Sequence, residues 1–317
     1  MKRISVCIGL YNGGKYLEKQ LASLLHQTRK PDQVILCDDC STDKTVRIAE
    51  KFIAQHNLWE SWHVYRNEKN LGYPGNFYYA MGLCDCDIVF LGDQDDLWAP
   101  DKLEKMAKAF EEREEIKVLS CRFSLIDSED EALQSTVAPE RGRETGELTK
   151  VSVDRIFLKY EWPGMVLAYR NHWYRENVGI GVQSKIPHDF FLCAKAAEEE
   201  GFYLLDRVLA CHRRHDNNVG GEEHRASKLS KRKRKCTEIR NYLKLLDAFT
   251  AEEALKTSGA KQLLEKKRSS MEGRLLALES GKVTRVLKNA FRNRDMVRPE
   301  TLICDVLICM KKGEKNQ

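Results

Sequence analysis

What this sequence lacks narrows it early. No apolar run in its 317 residues approaches the roughly 18 needed to cross a bilayer, and a charged content of 32% excludes an integral membrane protein. No secretory leader is expected, because the opening MKRISVCIGLY is too short in its apolar part and passes straight into a polar turn. The eleven cysteines include no paired C-x-x-C set of zinc spacing; Cys84-Asp85-Cys86 stands alone. Most of the others lie in apolar runs (Cys7, Cys37, Cys193, Cys304, Cys309), where cysteine behaves as a small hydrophobe. A reduced, cytoplasmic protein is therefore expected. Also missing are G-x-x-x-x-G-K-[ST] and G-x-G-x-x-G; Gly9 with Gly13-Gly14 matches neither. Those absences disfavour the two commonest phosphate-binding turns and leave binding through carboxylates and a metal open.

What is present alternates. Ile4–Leu10, Gln33–Asp38, Ser61–Tyr65 and Asp87–Leu91 read as strands, several of them continuous apolar runs as in strands buried on both faces. Between them, Leu17, Leu21, Leu24 and Leu25, then Val46, Ala49 and Phe52, then Phe77–Leu83 carry helical spacing. This pattern predicts an α/β fold with a mostly parallel, Rossmann-like sheet flanked by crossover helices. Charge divides the chain: residues 224–317 hold 24 Lys and Arg against 11 Asp and Glu, while the remainder holds 29 against 37. The expected organisation is a catalytic-looking unit over 1–222 and a basic helical extension over 223–317.

Polar residues gather where strands end: Asn12, Asp38 with Asp39, and Asp93 with Asp95. Ligands of open α/β sheets bind at that edge. The stretch Ile88–Lys102, IVFLGDQDDLWAPDK, stops an apolar run on Asp93, Asp95 and Asp96. Such carboxylates suit a hard divalent cation that also keeps phosphate ligands, Mg²⁺ or Mn²⁺. The plain alternative is a polar loop capping the next helix.

Taken in order, a strand ending in Tyr11-Asn12, then VILCDDCSTDKT, then Arg66-Asn67-x-x-Asn70-x-Gly72, then the D-x-D cluster resemble the family-two inverting glycosyltransferases of GT-A fold. LGDQDDLWAPDKL is similar to their rhamnosyltransferase-like branch, and the resemblance spans about residues 3–220. It implies a nucleoside-diphosphate sugar donor, UDP- or dTDP-linked, and a glycan or lipid-linked acceptor of surface polysaccharide synthesis. It also implies site roles. Tyr11, Asn12, Asp38, Asp39, Arg66, Asp93 and Arg213 would bind the donor, with Asp38 or Asp39 accepting from the ring N–H of uracil or thymine. Asp93, Asp95 and His215 would hold the metal. Asp189, in Pro187-His188-Asp189-Phe190, would be the base that deprotonates the acceptor, as inversion requires. Trp98, Gly164 and His188 would line the sugar or acceptor pocket. The sequence departs from the family at Cys40, where D-D-G-S has glycine, so a turn needing positive φ would be strained there; Cys211, His212 and Arg214 depart from the family's Y-R-Q-H.

In the tail, Ile239, Tyr242, Leu243, Leu246 and Phe249, and then Leu263, Leu264, Met271, Leu275 and Leu278, predict amphipathic helices. Their Lys and Arg, including the run 231–235, favour docking at an anionic inner membrane face over nucleic-acid binding. Two competing readings stand beside the transferase: a nucleotidyltransferase on a related sheet, for which LYNGGK would be the glycine- and lysine-bearing loop, and a catalytically silent membrane- or partner-binding scaffold.

Overall fold

A computed structural model describes residues 1–133, 143–177, 184–215 and 230–310. Chain contacts divide it into two units: residues 1–152 with 161–214, and residues 153–160 with the C-terminal part from His215. The expected division at 222/223 lies outside the described residues. The first unit carries β1 (Ile4–Leu10), β2 (Gln33–Asp38), β3 (Trp62–Arg66), β4 (Ile88–Asp93), β5 (Leu97–Trp98), β6 (Val118–Ile126), β7 (Leu148–Lys150), β8 (Leu167–Arg170) and β9 (Phe202–Arg213). They form one sheet in the order β3-β2-β1-β4-β8-β6-β9-β5, with β7 also on β9. Strands β1–β4, β6 and β9 run one way and β5, β7 and β8 oppose them.

Helices α1 (Leu17–Leu25), α2 (Thr45–Gln55) and α3 (Gly72–Leu83) make the crossovers between β1, β2, β3 and β4. Leu17, Leu21 and Leu24 of α1 and Ala49, Phe52 and Ile53 of α2 are buried, the faces their spacing predicts. Because β2 lies on one side of β1 and β4 on the other, successive connections diverge there, which opens a crevice at the carboxyl ends. Register then brings the polar residues to adjacent rows: Leu10 lies opposite Asp38 and Asp38 opposite Arg66, with Asp93 one row away, opposite Gly9.

One boundary differs from expectation: α3 begins at Gly72, five residues before Phe77, because Pro74 falls in its first turn, where a missing N–H costs nothing. β9 runs through Arg213, its last residues paired with β6. Within the irregular middle, a single 3₁₀ turn at Gly164–Val166 leads into β8, which is inserted between β4 and β6. The unit is completed by α4 (Lys102–Glu112), α6 (Asn171–Asn177) and α7 (His188–Glu198).

The second unit is helical: α5 (Val153–Leu158), α8 (Lys231–Ala251), α9 (Ser258–Ser280), α10 (Val283–Arg292) and α11 (Pro299–Met310). α8 starts on a Ser230 side-chain cap and α9 on a Thr257 cap, and α9 stops at Gly281 with φ 63°. The apolar stripes expected to face a membrane instead cover one another: Cys236, Ile239, Met271 and Leu278 form a core, with Tyr242, Leu243, Leu275 and Ile308 against it. Among the described residues no helix is long and apolar enough to cross a membrane. All eleven cysteines are free, and Cys304, expected inside an apolar run, is exposed.

Candidate active site

The carboxyl ends of β1, β2 and β4 are tied together by side chains that leave few groups spare. Gln94 clamps the backbone of Tyr11, accepting from its N–H and donating to its carbonyl, both at 2.9 Å. A Cβ on Gly13 would fall 2.0 Å from the Gln94 amide oxygen, so any side chain there would push Gln94 off the Tyr11 backbone. Asn12 has φ 47° and its side-chain oxygen accepts from the Thr42 N–H. Cys40 has φ 66°, the left-handed conformation for which glycine would be easier. The Gly13 and Gly14 N–H groups donate to Thr45 Oγ1 and Asp43, so they are not turned to a phosphate. That disfavours the nucleotidyltransferase reading of LYNGGK.

The two aspartates expected at the base separate clearly. Asp39 is buried and spent on the chain: Oδ1 accepts from Asn67 Nδ2 and the Leu71 N–H, and Oδ2 from the Gly72 N–H. It shapes the 67–72 loop. Asp38 is also buried, with Oδ2 accepting from the Ser41 N–H and 3.5 Å from Arg66 Nε. Its Oδ1 has no hydrogen-bond partner among the described residues, and a buried carboxylate oxygen seldom stays so without a function. Arg66 itself is 62% exposed at its side chain.

One row further, Asp93, Asp95 and Asp96 crowd with Asp189. Burial first, then the charges of Asp96, Asp95 and Asp189, push the Asp93 carboxyl well above the usual range. Asp96 is fully buried and accepts from the Arg213 N–H at 2.8 Å and from His212 Nδ1, which fastens the loop to β9. Among the described residues no three His, Cys, Asp or Glu side chains are set to hold a metal unaided. The arrangement still fits Mg²⁺ or Mn²⁺, since such ions need only one or two carboxylates when phosphates supply the rest. Asp93 and Asp95 are the residues that would hold it. His215, expected as a third ligand, is half-buried and opens the second unit.

Asp189 lies in the first turn of α7, yet it is not the helix cap; Pro187 holds that position, and Asp189 Oδ1 accepts from the adjacent Phe190 N–H at 2.8 Å. Its second partner was not foreseen. Burial, then the charges of Asp189 and Asp93, keep the Tyr73 phenol protonated well above its ordinary pKa, and that hydroxyl hydrogen-bonds Asp189. Tyr73 therefore feels the charge of both Asp189 and Asp93. No spacing rule marks it, because its neighbours come from α7 and β4.

Behind these groups the packing is dry. His188 is fully buried and stacks on Phe77 with ring centroids 3.9 Å apart. Burial pushes its pKa down to about 3, and neither ring nitrogen has a hydrogen-bond partner among the described residues. A Cβ at Gly164 would come 2.9 Å from His188 Nε2, so this glycine admits the imidazole. Expected to line the sugar pocket, Gly164 and His188 are both buried and packed against each other, with His188 on Phe77. Trp98 is likewise buried, at 4% exposure, against Phe90. Lys102, also fully buried, sets its ammonium 3.6 Å over the Trp98 ring and donates to the Met165 carbonyl. Trp98 ends β5 and Lys102 opens α4, so the short turn between them returns the ammonium over the ring. Arg213 is buried too: Nε donates to the Asp95 carbonyl and Nη1 to the Asp127 carbonyl, and the guanidinium lies 4.6 Å from the Tyr16 ring centre. Expected on the diphosphate, it holds the acidic loop instead.

This geometry agrees with what the chain is similar to. The family model described as glycosyl transferase family 2 matches residues 5–177, which includes the Asp38 and Asp93–Asp96 segments but stops short of Asp189. Putative glycosyltransferase EpsE of Bacillus subtilis (strain 168) is 30% identical over 125 residues, 39% of this chain and 44% of that protein, so the chain matches less than half its length. The structure of S. aureus TarS 1-349 in complex with UDP aligns with a TM-score of 0.58 at 19% identity over 92% of each chain. Mannosyltransferase PcManGT from Pyrobaculum calidifontis, in complex with GDP-Man and Mn²⁺, aligns at 0.58 and 15% identity over 97% of this chain and 86% of that one. At such identities the structural likeness speaks for the GT-A fold alone. The family match, covering more than half of the sequence, makes this chain a member of glycosyl transferase family 2.

Proposed function

We propose that the chain transfers a sugar, with inversion, from a uridine or thymidine diphosphate donor to a hydroxyl of a growing surface glycan or its lipid-linked precursor. The observation that carries this reading is the gathering of Asp38, Arg66 and Asp93 at the carboxyl ends of β2, β3 and β4, with Asp189 in the first turn of α7 contributing its charge at Asp93 and at Tyr73. On the donor side, Asp38 Oδ1 is a buried acceptor for the imide N–H of the base, and Arg66 lies beside it for ribose or phosphate. Mg²⁺ or Mn²⁺, when bound, supplies positive charge to the departing diphosphate. Asp189 takes the proton from the acceptor hydroxyl as it attacks the anomeric carbon on the face opposite the leaving group. Tyr73 orients that carboxylate, and the apolar wall of His188 and Phe77 excludes water from behind it. Rhamnose as the sugar rests on the motif LGDQDDLWAPDK.

The second unit supports membrane docking, though on other residues than the spacing suggested. α10 exposes Leu287 (48%) and Phe291 (84%) beside Arg285, Lys288 and Arg292, and α11 exposes Ile303, Leu307 and Met310. Apolar residues amid basic ones suit the surface of an anionic bilayer.

The deciding experiment is a screen of UDP-, dTDP- and GDP-sugars with Mg²⁺ or Mn²⁺, read by nucleoside diphosphate release and thermal stabilisation. Stabilisation and slow hydrolysis by a uridine or thymidine donor are expected; neither response from any donor sinks the reading. Phe291→Asp should halve sedimentation with anionic vesicles or better, and unchanged sedimentation removes the docking proposal.

A further inference from the structure

The helical unit contains a cavity of about 160 Å³ that the transfer reaction does not use. Its lining includes Tyr160, Tyr242 of α8, Lys267, Ser270 and Arg274 of α9, and Arg298, and it contains no Asp or Glu. The three cations are not equivalent. Arg274 is committed, donating from Nε and Nη2 to the Asp305 carboxylate at 2.6 and 2.9 Å. Arg298 pairs at 3.3 Å with Glu300, whose side chain is 68% exposed, so water screens that contact. Lys267 is only 6% exposed and joins no ion pair among the described residues. Its ammonium lies 3.4 Å from the Met296 carbonyl, a long contact, and 5.7 Å from the centre of the Tyr242 ring.

Burying an ammonium without a counter-charge is unfavourable, and here burial together with Arg274 pushes its pKa down to about 8. A second group has the same deficit. Ser270, 1% exposed and one helical turn from Lys267, has a hydroxyl without a hydrogen-bond partner among the described residues. A donor-rich, acid-free cavity with an ammonium that has no counter-charge and an unpaired hydroxyl on one helix face, among the described residues, lacks an anion. The volume suits one: a water occupies about 30 Å³ of liquid, so a phosphate fits with space for part of the group that carries it. Tyr160 and Tyr242 supply aromatic walls for that remainder.

We propose that this cavity is a phosphate-binding site in which Lys267 and Ser270 are the inner donors and Arg298 the outer one. The proposal is independent of the transfer reaction, since every lining residue belongs to the helical unit. The full chain would be titrated with inorganic phosphate against chloride at matched ionic strength, by calorimetry and thermal shift. Lys267→Met is expected to weaken phosphate binding at least tenfold and Ser270→Ala three- to tenfold, while Asp95→Asn, in the sheet unit, leaves this binding unchanged. Vesicles carrying phosphatidic acid, against phosphatidylcholine alone, tell a lipid phosphate from a free one: Lys267-dependent capture of the first marks a headgroup, and phosphate binding without vesicle capture marks a soluble ligand. Overturning results are no saturable response to phosphate or to phosphatidic acid, or binding that both Lys267→Met and Ser270→Ala leave at the wild-type value.

Discussion

Each unit of this protein buries a lysine, and their surroundings are opposite. Lys102, under the acidic loop, has its pKa lowered to about 8 by burial, while the charges of Asp96 and Asp93 pull it back up. Lys267, in the helical unit, is also lowered to about 8, and the neighbouring charge of Arg274 lowers it further. The first ammonium is an internal counter-ion with a tryptophan face and a carbonyl to bind. The second meets its carbonyl only at 3.4 Å and its ring only at 5.7 Å, and joins no ion pair among the described residues. A buried charge that the fold itself compensates is part of the architecture, whereas one it leaves uncompensated points to something from outside.

The largest effects should fall in the sheet unit. Asp189→Asn is expected to lower kcat by about a thousandfold, within the range for loss of a general base, and to leave donor affinity within about threefold. Asp95→Asn should instead weaken donor binding by roughly 10- to 100-fold in Mg²⁺ or Mn²⁺ and change it little in chelator. Isothermal titration beside steady-state kinetics measures both, and equal losses in both variants would erase the division between donor and acceptor carboxylates.

The lysines come next. Lys102→Met removes the compensating charge from a carboxylate cluster, so urea unfolding should show a loss of about 3 kcal/mol. Lys267→Met removes a penalty, and in phosphate-free buffer at pH 7 it should gain about 1–2 kcal/mol. Loss of stability in both variants would mean the two sites are alike after all. Acid–base linkage sharpens the test. Folded pKa values near 8 lie below the unfolded 10.5, so between these limits the unfolded chain binds the proton more tightly and each lysine makes the folded state more stable as pH rises. The advantage of Lys267→Met should therefore shrink from pH 8 to pH 10.5; a constant advantage would place its cause in packing.

The smallest effect concerns Cys40. Its φ of 66° costs a non-glycine residue about 1 kcal/mol, which the greater unfolded-state freedom of glycine nearly cancels. Cys40→Gly should stay within about 0.5 kcal/mol of the parent, whereas β-branched Cys40→Val should lose about 2 kcal/mol. A harmless valine would mean that the turn relaxes.

Much of this was legible in the residues. Strands buried on both faces read as apolar runs, and the polar residues that stop them lie on the ligand edge; hence Asp38, Asp93 and Asp95 could be placed before any coordinates. The strain at Cys40 followed from the glycine it replaces. The sequence also determined that the tail is helical, because its apolar spacing is a local property. The tertiary structure alone decided what those helices cover, and they cover each other. It separated Asp38 from Asp39, adjacent in sequence: the 67–72 loop occupies both oxygens of Asp39 and leaves Asp38 Oδ1 without a hydrogen-bond partner among the described residues. It took Arg213, Trp98 and Gly164 from the ligand to the packing, joined residues 153–160 to the helical unit, and brought Tyr73 to Asp189. The physical reason is common to all of these: secondary structure follows from neighbours along the chain, while the job of a polar side chain is set by which partners, remote in sequence, have already satisfied it.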